Sequence, residues 1–167
     1  MENFLYAPWR RSYSESKEIT KNENIAADDC VFCTFLQEND DEKNFILKRY
    51  KYCFVLMNKF PYNAGHVMIL PLEHEAHINN LLPAVHQEMM ELISACIKVI
   101  EGSLNAKNFN VGFNLGKIAG AGIPSHLHIH VLPRWQGDTN FLTSIGQTRV
   151  ISFDLKEMYQ LLKPYFQ

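Results

Sequence analysis

The segment Ser125-His126-Leu127-His128-Ile129-His130-Val131-Leu132-Pro133 carries a histidine at every second position from 126 to 130, with aliphatic residues between. Side chains of a strand alternate between two faces, so an extended chain puts all three imidazoles on one side and Leu127, Ile129 and Val131 on the other. A helix would turn residues i and i+2 to different sides, and the alternation therefore selects a strand over 126–133. Same-face neighbours along a strand lie roughly 6 to 7 Å apart, so one ligand can meet two or three of these rings. The pattern leaves three readings of that face: solvated polar residues, a metal site, or a nucleophile. Imidazole is the commonest metal ligand. It also attacks in its neutral form without a separate base, because its reference pKa is about 6.5. Three alternating histidines out of seven in the chain are hard to attribute to solvation.

The preceding residues, 114–125, read Asn-Leu-Gly-Lys-Ile-Ala-Gly-Ala-Gly-Ile-Pro-Ser. Gly116, Gly120 and Gly122 let main-chain N–H groups converge on an anion. Asn114 and Ser125 add side-chain donors. A glycine-rich loop alone is usually only a turn; directly before a histidine strand it suggests a phosphate held beside a nucleophile.

Elsewhere the pattern alternates between extended and helical stretches. FILKRY (45–50), CFVLMN (53–58), HVMILP (66–71) and NFNVGFNLG (108–116) are predicted strands, with NKFPYNAG turning the chain between the second and third. A short helix is predicted from near Asp29 through VFCTFLQE. A long one covers 83–103, where Val85, Met89, Leu92, Ile93, Cys96, Val99 and Ile100 form one apolar stripe and Pro83 suits a first turn. A third helix is predicted over 154–166. Strands, then a helix, then strands imply an α+β fold with a mostly antiparallel five-stranded sheet. The aromatic-rich residues 1–11 are expected to pack on the domain and 12–29 to form a loop. This divides the chain into an N-terminal extension (1–29), a domain (30–140) and a C-terminal extension with a helix (141–167).

Sixteen basic against eighteen acidic residues give a net charge of −2, which speaks against a broad nucleic-acid surface. No apolar run is long enough to span a bilayer. The opening MENFLYAPWRRSY lacks the basic-then-apolar order of an export signal, so a cytoplasmic protein is expected. Its four cysteines are then thiols or metal ligands rather than disulfides. Cys30 and Cys33 form Cys-x-x-Cys, which reads as a redox pair, half a metal site or coincidence. A redox pair usually opens a helix after a strand, and nothing strand-like precedes Cys30. Cys53, in an apolar strand, and Cys96, on the helix stripe, are expected to be core thiols. His86 is expected at the surface.

HLHIHVLP resembles the signature of the histidine-triad (HIT) family, in which histidines alternate with apolar residues. The family's other blocks follow in order: Asn58 heading NKFPYNAGH, His66 opening a strand after a glycine, and Pro71-Leu72-Glu73-His74 after that strand. The resemblance covers about residues 30–135. LYAPWR, AGAG and PRWQGDTNF (133–141) are similar to a bacterial subgroup that includes diadenosine tetraphosphate phosphorylases.

The resemblance implies a HIT-like fold and cleavage of diadenosine polyphosphates through a nucleotidyl-histidine intermediate on His128. Nucleoside phosphoramidate hydrolysis, or nucleotide binding without turnover, are the alternatives. It further implies phosphate contact by His130, support of the triad by His66, ribose binding at Asn58, and phosphate donors from Asn114, Gly122, Ile123 and Ser125. Relatives commonly carry Gln where this chain has Gly122, so a side-chain donor is missing here. Zinc-bearing relatives imply a structural zinc on Cys30, Cys33, His74 and His126, with His77 the substitute if the alignment slips. An adenine nucleotide or dinucleoside polyphosphate is the implied partner, with a homodimer or tetramer as the assembly.

Overall fold

The computed structural model describes residues 26–139 and 153–166. The predicted packing of residues 1–11, most of the 12–29 loop and the start of the C-terminal extension lie outside these residues. Five strands form one antiparallel sheet: β1 (Ile46–Arg49), β2 (Cys53–Met57), β3 (Val67–Pro71), β4 (Asn108–Gly112) and β5 (Ile129–Arg134), in the spatial order β1-β2-β3-β5-β4. The helices are α1 (Val31–Glu38), α2 (Pro83–Leu104) and α3 (Leu155–Leu162). A 3-10 turn at Ala27–Asp29 leads into α1 where a loop was expected. Among the described residues, no helix is long and apolar enough to cross a membrane.

The sheet separates two apolar layers. Leu127, Ile129 and Val131 join Val55, Met57, Val67 and Ile69 beneath the α2 stripe of Val85, Met89, Leu92, Cys96 and Ile100. On the opposite face, Phe54, Leu56, Met68 and Leu70 pack with Cys30, Phe32 and Cys33 of the α1 region. Cys53 and Cys96 are fully buried core thiols, and burial pushes both up to about 12. His86 is half-buried rather than exposed, because its Nε2 lies 2.8 Å from the Ile78 carbonyl and donates to it. Helix α3 opens on Asp154, whose carboxylate accepts the N–H groups of Lys156 and Glu157. It gives way to a 3-10 turn at Lys163–Tyr165 rather than continuing to 166, since Pro164 lacks the N–H a helix needs.

The histidine strand begins later than the pattern predicts. Val67 faces Val131 and Ile69 faces Ile129, so the next partners in register are Pro71 and Leu127. Pro71 has no N–H to give, and the ladder stops there. The Leu127 N–H turns instead to the Glu75 carbonyl at 2.7 Å. Residues 126–128 keep the alternation without being part of the ladder: Leu127 stays in the core under α2, while His126 and His128 both face Phe32. β4 likewise ends at Gly112, short of the predicted 116, because its pairing with β5 ends at Gly112 opposite His130.

The β2–β3 turn closes at Gly65, at φ +69°, directly before His66. A Cβ there would meet the Leu104 side chain as well as the left-handed conformation. Gly65→Ala is expected to lower stability by about 1–2 kcal/mol from the backbone alone, more if Leu104 cannot yield, as chemical denaturation would measure.

Candidate active site

A cavity of about 390 Å³ opens between α1, the β2–β3 turn and the loop before β5. Val31, Phe32, Phe35, Leu56 and Met68 make it largely apolar, and Asn58, Lys59, Tyr62, His128 and His130 bring polar groups to it. Gly122 and Ile123 line it from the loop. A slot of this size with a few convergent polar groups suits a small molecule carrying an apolar ring and a charged end.

The main chain assigns the proton on each ring. His128 Nδ1 lies 2.8 Å from the His126 carbonyl oxygen, which can only accept, so Nδ1 carries the hydrogen and Nε2 keeps its lone pair. The Tyr62 N–H donates to His66 Nδ1 at 3.1 Å, and the Asn58 amide approaches the same nitrogen at 3.4 Å. The hydrogen of His66 is therefore on Nε2, which donates to His130 Nδ1 at 2.9 Å. That leaves the hydrogen of His130 on Nε2, a buried atom with no partner among the described residues. Ser125 Oγ is the other such atom. One face of the site thus presents a bare lone pair at His128 beside an unspent N–H at His130, whose rings lie 4.9 Å apart.

Burial keeps these rings neutral. Desolvation, reinforced by His130 and His128, lowers His66 to about 3. Desolvation and His128 lower His130 to about 4. His128 is also lowered by desolvation, partly offset by its bond to His126.

The predicted site residues separate into three groups. His128, His130, Asn58, Gly122 and Ile123 line the cavity, and His66 stands behind His130. Ser125 is buried next to His126. Asn114 does not line the cavity; it is half-buried and its amide donates to the Gly120 carbonyl at 3.4 Å, bracing the loop. The loop's N–H groups at Gly120 and Ala121 are likewise committed internally, to Lys117 and Gly116 carbonyls. Phe32 and Phe35 escaped the sequence reading because aromatic residues in a short apolar helix look like core, and Lys59, Phe60 and Tyr62 because they lie in a stretch that reads only as a turn.

The third group is metal-type. Ligand atoms of Cys30, Cys33, His74 and His126 all lie within 4.8 Å of one another. His126 Nε2 donates to the Pro71 carbonyl at 3.0 Å, which leaves the Nδ1 lone pair facing the two sulfurs at 3.5 and 3.6 Å. His74 Nδ1 lies 3.3 Å from Cys33 Sγ. Two sulfurs and two imidazole nitrogens are the donor set of a structural zinc, and a carbonyl fixing the ligand's tautomer is the usual support. Burial and the neighbouring Cys30 push the Cys33 thiol up to about 11, the penalty a bound cation would reverse. His77 is exposed and outside this cluster.

An ion-paired clamp backs the β2–β3 turn. Arg134 donates to the Asp138 carboxylate at 2.6 and 2.7 Å, and the same carboxylate accepts the Asn63 amide at 2.9 Å and the Trp135 N–H at 3.1 Å. Asn63 also donates to the Pro133 carbonyl at 3.2 Å. These bonds hold Asp138 well below the usual carboxylate range.

A HIT domain profile matches residues 39–137, and the chain belongs to the HIT family. Over 158 residues it is 34% identical to a Mycobacterium tuberculosis protein named AP-4-A phosphorylase, covering 95% of this chain and 81% of that one. A Saccharomyces cerevisiae bis(5'-adenosyl)-triphosphatase is 31% identical over 87 residues, 52% of this chain and 42% of that one. Among solved structures, a Zn-bound histidine triad family protein from Mycobacterium smegmatis superposes with a TM-score of 0.69 at 23% identity, over 84% of this chain and 95% of that one. Cys30 and Cys33 precede the matched domain.

The buried rings predict acid sensitivity. An unfolded histidine takes a proton near pH 6.5, whereas His66 refuses one until about 3. Its contribution to stability is therefore whole above pH 6.5 and is lost as pH falls toward the folded value. One pH unit below 6.5 the loss is up to about 1.4 kcal/mol for such a ring. Unfolding at pH 7.5 and 5.5 should show it, and His66→Asn should lose less between those two values. An identical loss in the variant would refute the assignment.

Proposed function

We propose that this chain cleaves diadenosine polyphosphates, with His128 Nε2 as the nucleophile and inorganic phosphate as the acceptor. The carrying observation is the Nδ1–H of His128 tied to the His126 carbonyl, which leaves Nε2 unprotonated at the cavity wall. In the proposed first step that lone pair attacks the α-phosphorus of the bound nucleotide, an Nε2–P bond forms, and the P–O bond to the remaining polyphosphate breaks with its electron pair. A phosphate oxygen then attacks the same phosphorus, displaces His128 and yields a nucleoside diphosphate. The His130 Nε2–H would donate to a phosphate oxygen as negative charge builds. His66, fixed by the Tyr62 N–H, would keep His130 in the tautomer able to donate. Asn58 would meet the ribose, and the Gly122–Ser125 stretch the phosphates. The apolar walls at Val31, Phe32 and Phe35 would take the base.

Support for the substrate comes from the named relatives, both dinucleoside polyphosphate enzymes by name. The test is incubation with diadenosine tetraphosphate, with and without phosphate. ADP plus ATP appearing only with phosphate supports the reading. AMP plus ATP without phosphate would make water the acceptor, and absence of any product would leave a binding protein. His128→Ala is expected to lower turnover by at least about 10³-fold while AMP still binds; near-normal turnover would sink the nucleophile assignment.

Cys30, Cys33, His74 and His126 would hold a zinc ion, whose contribution is a structural cross-link between the start of α1 and the end of β3. Metal analysis is expected to find about one zinc per chain, lost in Cys30→Ser. Finding none in the purified wild type would remove the zinc without touching His128.

A further inference from the structure

The first turn of α1 serves two sites at once. Cys30 and Cys33 turn their sulfurs to the Cys₂His₂ cluster, while Val31, Phe32 and Phe35 wall the cavity. Phe32 reaches both sets of histidines. Its ring lies edge-on to His126 at 5.6 Å between centroids and tilted against His128 at 5.7 Å. Only 4% of it is exposed, so neither imidazole can shift without the ring responding. The His126 carbonyl that receives the His128 N–H adds a second link between the same two residues.

Helix α1 has eight residues, too few to be stable alone, so its order comes from what it touches. We propose that Phe32 is a positioning residue that makes metal occupancy of the cluster and nucleotide occupancy of the cavity reciprocal, each raising the affinity for the other. The inference rests on the nucleotide reading of the cavity. A cation held by Cys30, Cys33, His74 and His126 orders the turn on which the cavity wall stands. A nucleotide arriving next finds that ordering already done. Linkage then requires the nucleotide to tighten the metal by the same factor.

The experiment measures zinc affinity by chelator competition with and without AMP, and AMP affinity by calorimetry with and without zinc. The expected factor is about ten in each direction. In Phe32→Ala it falls to about two or less although both ligands still bind. Phe32→Leu, which keeps the side chain apolar but removes the ring, shows the same loss should the alanine variant not fold. Val31→Ala, at a half-open position of the same wall, weakens AMP and keeps the factor. Independent zinc and AMP affinities in the wild type, or an undiminished factor in both Phe32 variants, would overturn the coupling. AMP failing to bind at all would overturn the nucleotide reading and the coupling together.

Discussion

The carbonyl of His126 can only accept, and the N–H of Tyr62 can only donate. Those two fixed polarities decide where the hydrogens of His128, His66 and His130 sit. From His126 the proton on His128 is drawn to Nδ1. From Tyr62 it is displaced to the far side of His66, and from there to the far side of His130. An imidazole in water exchanges its tautomers freely. Here the main chain removes that freedom, so a lone pair and an N–H stand side by side without any charged residue to impose the order.

Neutrality is the second condition, and burial supplies it. No carboxylate among the described residues takes part in the row; its partners are rings, carbonyls and N–H groups. In this setting a protonated imidazole would lose much of its hydration and find no counter-charge. The apolar layer of α1 on one side and the sheet on the other desolvate the row, so the same packing that stabilises the fold sets the chemistry available to it.

Much of this was legible in the sequence. Alternation at His126, His128 and His130 announced one shared face, and Leu127, Ile129 and Val131 do enter the core. Cys30 and Cys33 do meet His74 and His126. What alternation could not convey was the role of groups every residue owns. The Pro71 carbonyl that orients His126, and the missing Pro71 N–H that delays β5, are main-chain properties. The cavity wall was hidden for another reason: Phe32 and Phe35 sit in a short helix whose apolar residues look alike whether they fill a core or face a ligand. Asn114 has the right chemistry for a phosphate, but its amide is spent holding Gly120.

The Asp138 carboxylate gathers the Asn63 amide, the Trp135 N–H and the Arg134 guanidinium at one point. The β2–β3 turn is thereby riveted to the end of β5, and Asn58, Tyr62 and His66 travel with His130 as one stiff jaw. The opposing jaw, α1, leans on the other two histidines of the triad, with Cys30 and Cys33 at His126 and Phe32 against both His126 and His128. The two jaws therefore address different members of the triad: one fixes the donor at His130, and the other bears on the lone pair at His128.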